Sequence, residues 1–346
     1  MRRITTAVAF LWIAGMSATA CGDDTSPARG PELDAGKDTG DAFDSGAVTE
    51  DSGPAPDAAP TVLVSSDGAK TISVDGSNLY FVSAKAKTSI GRVPTAGGAV
   101  TTIVSKVDGL DREVQADDGF AYFADLVNGP TNGFQVERAN GTQRNVVAAG
   151  GDAFAPKGGN FYTGVACITS PLCPTKSGFG IVRVPSDGTP SGTFLTPTSS
   201  GLTRIRVDGT YVLWVENESI SVLPLAGGAS RNVAFASVSS LSLNGGYAYW
   251  TETALPSRLL RARLDTASVP EVIAAESAEF TRVIADGSDV YWIASVTGVA
   301  TIRHLTIGSA ANDVVHRSDK EPINDVALDA THIFFATSTA IYSLPR

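Results

Sequence analysis

The sequence predicts an all-β fold, a β-propeller of seven four-stranded blades, on three observations. One turn-centred motif recurs seven times. Within each copy apolar and polar residues alternate with a period of two, the mark of a strand rather than a helix. A lone strand precedes the first copy, and the last copy lacks one. The first copy reads ISVDGSNLYFVS, from Ile72 to Ser83. Anchored on Asp75, it returns at Asp117, Lys157, Asp208, Asn244, Asp286 and Asp329, 36 to 51 residues apart. Units of roughly 40–45 residues are the spacing of propeller blades. Six and eight blades are the alternatives to seven.

The first strand of each copy leads into the anchor. Three residues before it stand Ile72, Val114, Phe154, Ile205, Leu241, Val283 and Val326, all apolar. One residue before stand Val74, Ala116, Pro156, Val207, Leu243, Ala285 and Leu328, again apolar, and the residues between are mostly small or polar. The second strand follows the turn. Its sixth position after the anchor holds Phe81, Phe123, Thr163, Trp214, Trp250, Trp292 and Phe335, including three of the four tryptophans. Large aromatics stacked between neighbouring sheets suit a radial arrangement.

Third strands such as Ile90 to Pro94, and fourth strands such as Val100 to Val104, complete each copy. Turns of small residues join them, as at Thr95-Ala96-Gly97-Gly98. The seventh copy stops at Arg346, just after its third strand. The orphan strand 61–65 is expected to complete it, closing the ring and removing open sheet edges.

The chain therefore divides into a signal peptide (1–20), an acidic tether (21–60) and the propeller (61–346). Arg2 and Arg3 precede a mostly apolar run to Ala18, too short for a comfortable membrane span. Ala18-Thr19-Ala20-Cys21 resembles a bacterial lipobox, which implies cleavage before Cys21 and acylation of that residue. Ordinary secretion with an unmodified Cys21 is the alternative. Gly22 after the cysteine, by resemblance to the usual Gram-negative sorting rule, points to the outer membrane. Residues 22–60 hold ten acidic residues against Arg29 and Lys37. Rich in Pro, Gly, Ala and Ser, they bury too little apolar surface to order themselves.

The overall charge of −10 lies mostly in that tether, which carries −8; residues 61–346 carry only −4. With no basic patch, nucleic acid and direct contact with anionic lipid are disfavoured, leaving the anchor as the membrane link. Cys167 and Cys173, in one insertion of an oxidising compartment, read as a disulfide. Five residues separate them, unlike a redox pair, and the bond is expected to serve the loop rather than the core.

Loops joining second to third strands, and those joining copies, share one face, where propellers usually bind. Four residues before each anchor, at the channel mouth of that face, stand Thr71, Glu113, Ala153, Arg204, Ser240, Arg282 and Asp325. The candidate ligand site comprises Glu113, Arg204, Arg282 and Asp325, with Glu216 and Glu252 beyond adjacent second strands. Arg204 and Arg282 as forked donors would recognise an anion. A salt-bridge network that plugs the channel is the alternative. Asp75, Asp208, Asp286 and Asp329 at the turns are expected to accept hydrogen bonds from their own turn backbone.

Catalytic, metal and cofactor motifs are not apparent. His304, His316 and His332 occupy unrelated repeat positions without metal-ligand spacing. There is no GxSxG elbow, HExxH or P-loop.

Tyr249-Trp250-Thr251-Glu252 and Tyr291-Trp292, each following a turn, resemble the YWTD propeller repeats. With Gly91-Arg92-Val93-Pro94 running into Ala96-Gly97-Gly98, the repeat also resembles the propeller lipoproteins common in myxobacteria and, more distantly, TolB-type envelope propellers. YWTD domains have six blades and hold their motif more strictly than this chain. The resemblance implies fold and compartment, and it rests on framework positions.

The expected protein is an outer-membrane lipoprotein, monomeric, whose propeller binds or scaffolds a protein or glycan. An envelope hydrolase or lyase acting on a sugar or lactone is the alternative, with acids among Glu113, Asp325, Glu216 and Glu252. It would need two carboxylates converging about 5–10 Å apart.

Overall fold

The computed structural model describes residues 59–346, except 66, 86–88, 106–112, 118, 126–131, 138–142, 148–149, 188, 190 and 310–311. The expected signal peptide, the acylation site Cys21, the tether through residue 58, the loop 108–112 and most of the loop 124–132 lie outside these residues.

The fold is an all-β propeller, with no helix among the described residues. Twenty-eight strands pair into seven four-stranded sheets, antiparallel throughout. The first runs Ala69–Asp75, Asn78–Ser83, Ile90–Pro94, Thr101–Val104. Alternating apolar residues form its strands, and the turn is made where the anchor motif lies. Asp75 pairs with Asn78, leaving Gly76 and Ser77 to reverse the chain. Gly76 has φ +57°, a left-handed conformation that glycine adopts without Cβ strain.

The last sheet is built from both ends of the described chain. Thr61–Val64 pairs antiparallel with Ile341–Pro345, with Thr61 opposite Ser343 and Val64 opposite Ile341. The first strands of successive sheets stand side by side, and the first strand of the seventh sheet neighbours Ala69–Asp75 of the first.

Core packing occurs between sheets. Seven clusters of buried residues each draw on two successive sheets. All seven side chains of the aromatic column are buried, from Phe81 to Phe335. Trp250, for example, packs against Leu213 and Val215 of the preceding sheet. The third copy breaks the column with Thr163, whose hydroxyl donates instead to the Ala153 carbonyl at 2.9 Å. There Phe154 and Phe161 stack with centroids 5.4 Å apart, in the same cluster as the cysteine pair.

Cys167 and Cys173 form a disulfide, with Cα atoms 5.3 Å apart. Both are buried, and they pack with Tyr122, Phe161, Val182 and Val184 between the second and third sheets. This corrects the expectation that the bond serves only its loop, because the insertion folds back over the one sheet interface that lacks its column aromatic. Replacing both cysteines by alanine should therefore lower global stability. The chain-entropy part alone is about 2–3 kcal/mol, with lost sulfur burial added. Urea unfolding under non-reducing conditions checks this, and a midpoint unchanged from wild type would return the disulfide to the loop.

The first strand of each sheet has an open inner edge, with backbone groups that need partners. Side chains of the preceding sheet supply them. Thr71 Oγ1 accepts the Val114 N–H at 3.2 Å, and Ser73 Oγ accepts that of Ala116 at 2.9 Å. Ser240 and Ser242 do the same for Val283 and Ala285, both at 3.1 Å. Where the side chain is a donor it reaches a carbonyl instead: Gln115 Nε2 to Phe154 O at 2.8 Å, and Arg206 Nε to Leu241 O at 3.0 Å. Asp325 Oδ2 accepts the Ile72 N–H at 2.9 Å, joining the seventh sheet to the first.

The turn aspartates divide between two roles. Asp208 and Asp329 cap their own turns, accepting from Thr210 and Tyr211, and from Thr331 and His332. Asp75 and Asp117 cross to the next sheet and accept the N–H of Gly119 and Gly158. Asp286 pairs with Arg346 Nη1 at 2.5 Å. The expectation of turn capping is thus corrected at Asp286, whose carboxylate pairs with Arg346, while Asp75 also reaches a donor in the next sheet.

Candidate functional site: the channel mouth

First strands run from the loop-rich face towards the turn face, so residues four before each anchor sit at the mouth of the central channel. All seven line a single cavity of about 370 Å³: Thr71, Glu113, Ala153, Arg204, Ser240, Arg282 and Asp325. A second cavity of about 250 Å³ continues along the axis. Glu113, Arg206 and Arg282 line both, so they form the constriction between them.

That constriction is an ion network. Arg206 Nη2 reaches Glu113 Oε1 at 3.0 Å and Oε2 at 3.2 Å. Arg282 Nη1 donates to the same Glu113 Oε1 at 3.1 Å. Arg282 Nε lies 2.9 Å from Asp325 Oδ1 but makes no directed hydrogen bond, so that contact is mainly electrostatic. Arg204 stands apart. Its Nη2 donates to the Ser239 carbonyl, and it contacts no carboxylate among the described residues.

Charges this close reset one another. Burial pushes the Glu113 carboxyl up, but Arg206 and Arg282 overcome it and hold the group at about 2. Asp325 moves the other way, because burial outweighs the attraction of Arg282 and the backbone donors. Arg204 is pulled down by burial and then by neighbouring Arg206, with Glu113 only partly opposing.

Sequence reasoning missed Arg206. It lies two residues before its anchor, in a column dismissed as small or polar. The signal was present, because in a strand the residues two and four before the anchor project to the same side.

Glu216 and Glu252 do not join the channel mouth, which corrects their inclusion. Each stands two residues after a column tryptophan, on the same side of its strand, and turns back to it. Trp214 Nε1 donates to Glu216 Oε1 at 3.0 Å, while Ser199 N and Oγ donate to Oε2 at 2.6 and 2.8 Å. Burial raises the Glu216 carboxyl, but these donors more than offset it and hold it below the usual carboxylate range. Glu252 accepts from Trp250 Nε1 at 3.4 Å and from Arg258 Nε at 2.8 Å. Glu216 thus pins the loop at Ser199 and Ser200 to its sheet, whereas Glu252 ties the second strand of its sheet to the third.

The loop-rich face also exposes apolar side chains. Ile168 and Leu255 lie in loops between second and third strands, Phe235 ends the fourth strand of its sheet, and these are 72%, 72% and 81% exposed. Phe179 and Val296 are also exposed at the loop-rich ends of the third and sixth sheets. Among the described residues, no cluster of His, Cys, Asp or Glu is arranged to hold a metal, and no helix is long and apolar enough to cross a membrane.

The site and its scaffold define the chain's class by fold, as a β-propeller. No protein-family model matches the chain, and no curated protein is significantly similar. Solved structures share the fold. A chain of the mitotic checkpoint complex superposes with a TM-score of 0.61 at 10% identity, over 96% of this chain and 99% of that one. The extracellular domain of a one-component system from B. thetaiotaomicron gives 0.55 at 11% identity, over 82% of this chain and 39% of that one. A computationally designed protein, Ika8, gives 0.54 at 10% identity, over 82% and 99%. At these identities the likeness speaks for fold alone.

Proposed function

We infer that the chain is a lipid-anchored envelope protein whose propeller is a binding or scaffold module for a protein or glycan. The observation that carries this reading is the exposure of the large apolar side chains Ile168, Phe235 and Leu255 at the face that holds the channel mouth. Large apolar side chains left in water on a loop-rich face suit an interaction surface. The anchor rests on the lipobox resemblance at Ala18-Thr19-Ala20-Cys21, and the tether gives reach of roughly 30–40 Å for a Gly/Ser-like coil. In this reading the seven sheets are the blades of one closed ring, a geometry supported by the pairing of Thr61–Val64 with Ile341–Pro345.

Glu113 weighs against its own use as the acid of the hydrolase reading, because Arg206 and Arg282 hold it at about 2, too low to deliver a proton near neutrality.

Pull-down from detergent-solubilised envelope tests the module. The double variant Phe235→Ser, Leu255→Ser should lose at least about tenfold in partner recovery while melting as wild type. Equal recovery by both proteins would refute docking on this face. Mass analysis of the mature N-terminus tests the anchor; an unmodified Cys21 would remove it.

A further inference from the structure

Among the described residues, the channel mouth holds one more cation than anion, and the excess is localised. Arg204, Arg206 and Arg282 share the cavity wall with Glu113 and Asp325 alone among acidic residues. Glu113 is engaged by both Arg206 and Arg282, and Asp325 lies against Arg282. Arg204 spends one N–H on the Ser239 carbonyl. A guanidinium has five N–H donors in a planar fork, so most of its capacity remains. Two hydroxyls add to it. Thr71 Oγ1 and Ser240 Oγ each accept a backbone N–H, which leaves their own protons to donate.

We propose that the channel mouth binds a small organic monoanion through one carboxylate held on Arg204, an inference that rests on the reading of this face as the binding face. A carboxylate matches the guanidinium fork in two parallel hydrogen bonds. A single negative charge cancels the single surplus positive one. A dianion such as phosphate would bring its second charge against Glu113 and Asp325. The cavity, about 370 Å³, lies at the small end of ligand sites. It suits a body the size of one sugar or one amino-acid residue, and the same carboxylate chemistry occurs on a uronate and on a peptide C-terminus.

Calorimetric titration of the full-length protein in detergent separates these sources. Glucuronate and N-acetyl-L-alanine are the acid probes. Methyl glucoside and N-acetyl-L-alanine amide are their neutral counterparts, and inorganic phosphate is the dianion. At least one acid should saturate, with its neutral counterpart and phosphate at least about tenfold weaker. Arg204→Met should weaken the acid by at least about tenfold with melting preserved. Arg204→Lys, which keeps the charge without the fork, should weaken it severalfold and serves alone if the methionine variant does not fold. No saturation by either acid, tighter binding of phosphate, or wild-type affinity in the variants would overturn the site. If the acids fail while the Phe235, Leu255 variant still loses its partner, the carboxylate site falls and the docking face stands. If an acid binds through Arg204 while partner recovery is unaffected by that variant, the site stands and the docking face falls.

Discussion

Replacing Glu113 by glutamine should destabilise the propeller by about 3 kcal/mol near neutral pH, at the low end for stripping one partner from an enclosed ion network. Its carboxylate is shared by Arg206 and Arg282, and its loss leaves three guanidinium groups around a channel where, among the described residues, Asp325 is the one remaining carboxylate. A melting loss of roughly 5 °C corresponds to that energy in a domain of this size. The pH dependence has a definite sign. Glu113 titrates at about 2 in the folded protein, below the ordinary carboxylate value of about 4.3. Its contribution is therefore present above about pH 4.3 and lost as pH falls towards 2. The gap between wild type and Glu113→Gln should close over that window. Urea unfolding at pH 7 and at pH 3 reads both effects. A midpoint insensitive to the substitution would mean that channel water, rather than Glu113, offsets the arginines. Adding Arg206→Met to Glu113→Gln should recover part of the loss, because one uncompensated cation goes with it.

Removing the first described strand should cost at least as much. Deleting residues 1–60 leaves every sheet intact, whereas deleting 1–65 removes Thr61–Val64 from Ile341–Pro345. Val64 is buried in the cluster joining the seventh and first sheets, with Leu63 packed against it. Burial of those two side chains and the ladder hydrogen bonds together amount to about 4 kcal/mol or more. The exposed strand also offers an unpaired edge to other molecules. The longer deletion should melt well below the shorter one and aggregate on concentration, as read by calorimetry and light scattering. Equal melting temperatures would show that the strand is dispensable.

The fold was legible because its repeat is written in three columns at once: apolar residues before the anchor, turn residues at it, and aromatics after it. Each reports a local requirement that recurs in every copy. The channel-mouth column was legible for the same reason, since a fixed offset from the turn places side chains at a fixed height on the axis. What escaped was partnership. Nothing in the sequence states that Glu113 reaches Arg206 and Arg282, which come from sheets far away along the chain and meet only across the axis. Glu216 and Glu252 misled because their backbone position is near the binding face while their side chains fold back to tryptophan N–H groups two residues earlier. That Trp-x-Glu spacing was readable in retrospect. The cysteine pair misled differently, since an insertion looks peripheral until Thr163 is seen to leave its sheet interface without an aromatic.

The side-chain caps on the inner strand edges all run one way, from a copy to the next one in the chain. Thr71, Ser73 and Asp75 reach the second sheet, Ser240 and Ser242 the sixth, and Asp325 of the seventh returns to Ile72 of the first. In the closed-ring reading, these caps have a direction that does not depend on where the polypeptide is cut. Circular permutants opened in the turn regions between copies, with the present ends joined, keep every such cap. Reversing the order of two adjacent copies would break caps at each new junction even if both copies folded normally. Modular re-engineering of this scaffold should accordingly tolerate rotation of its reading frame by whole copies and resist their shuffling.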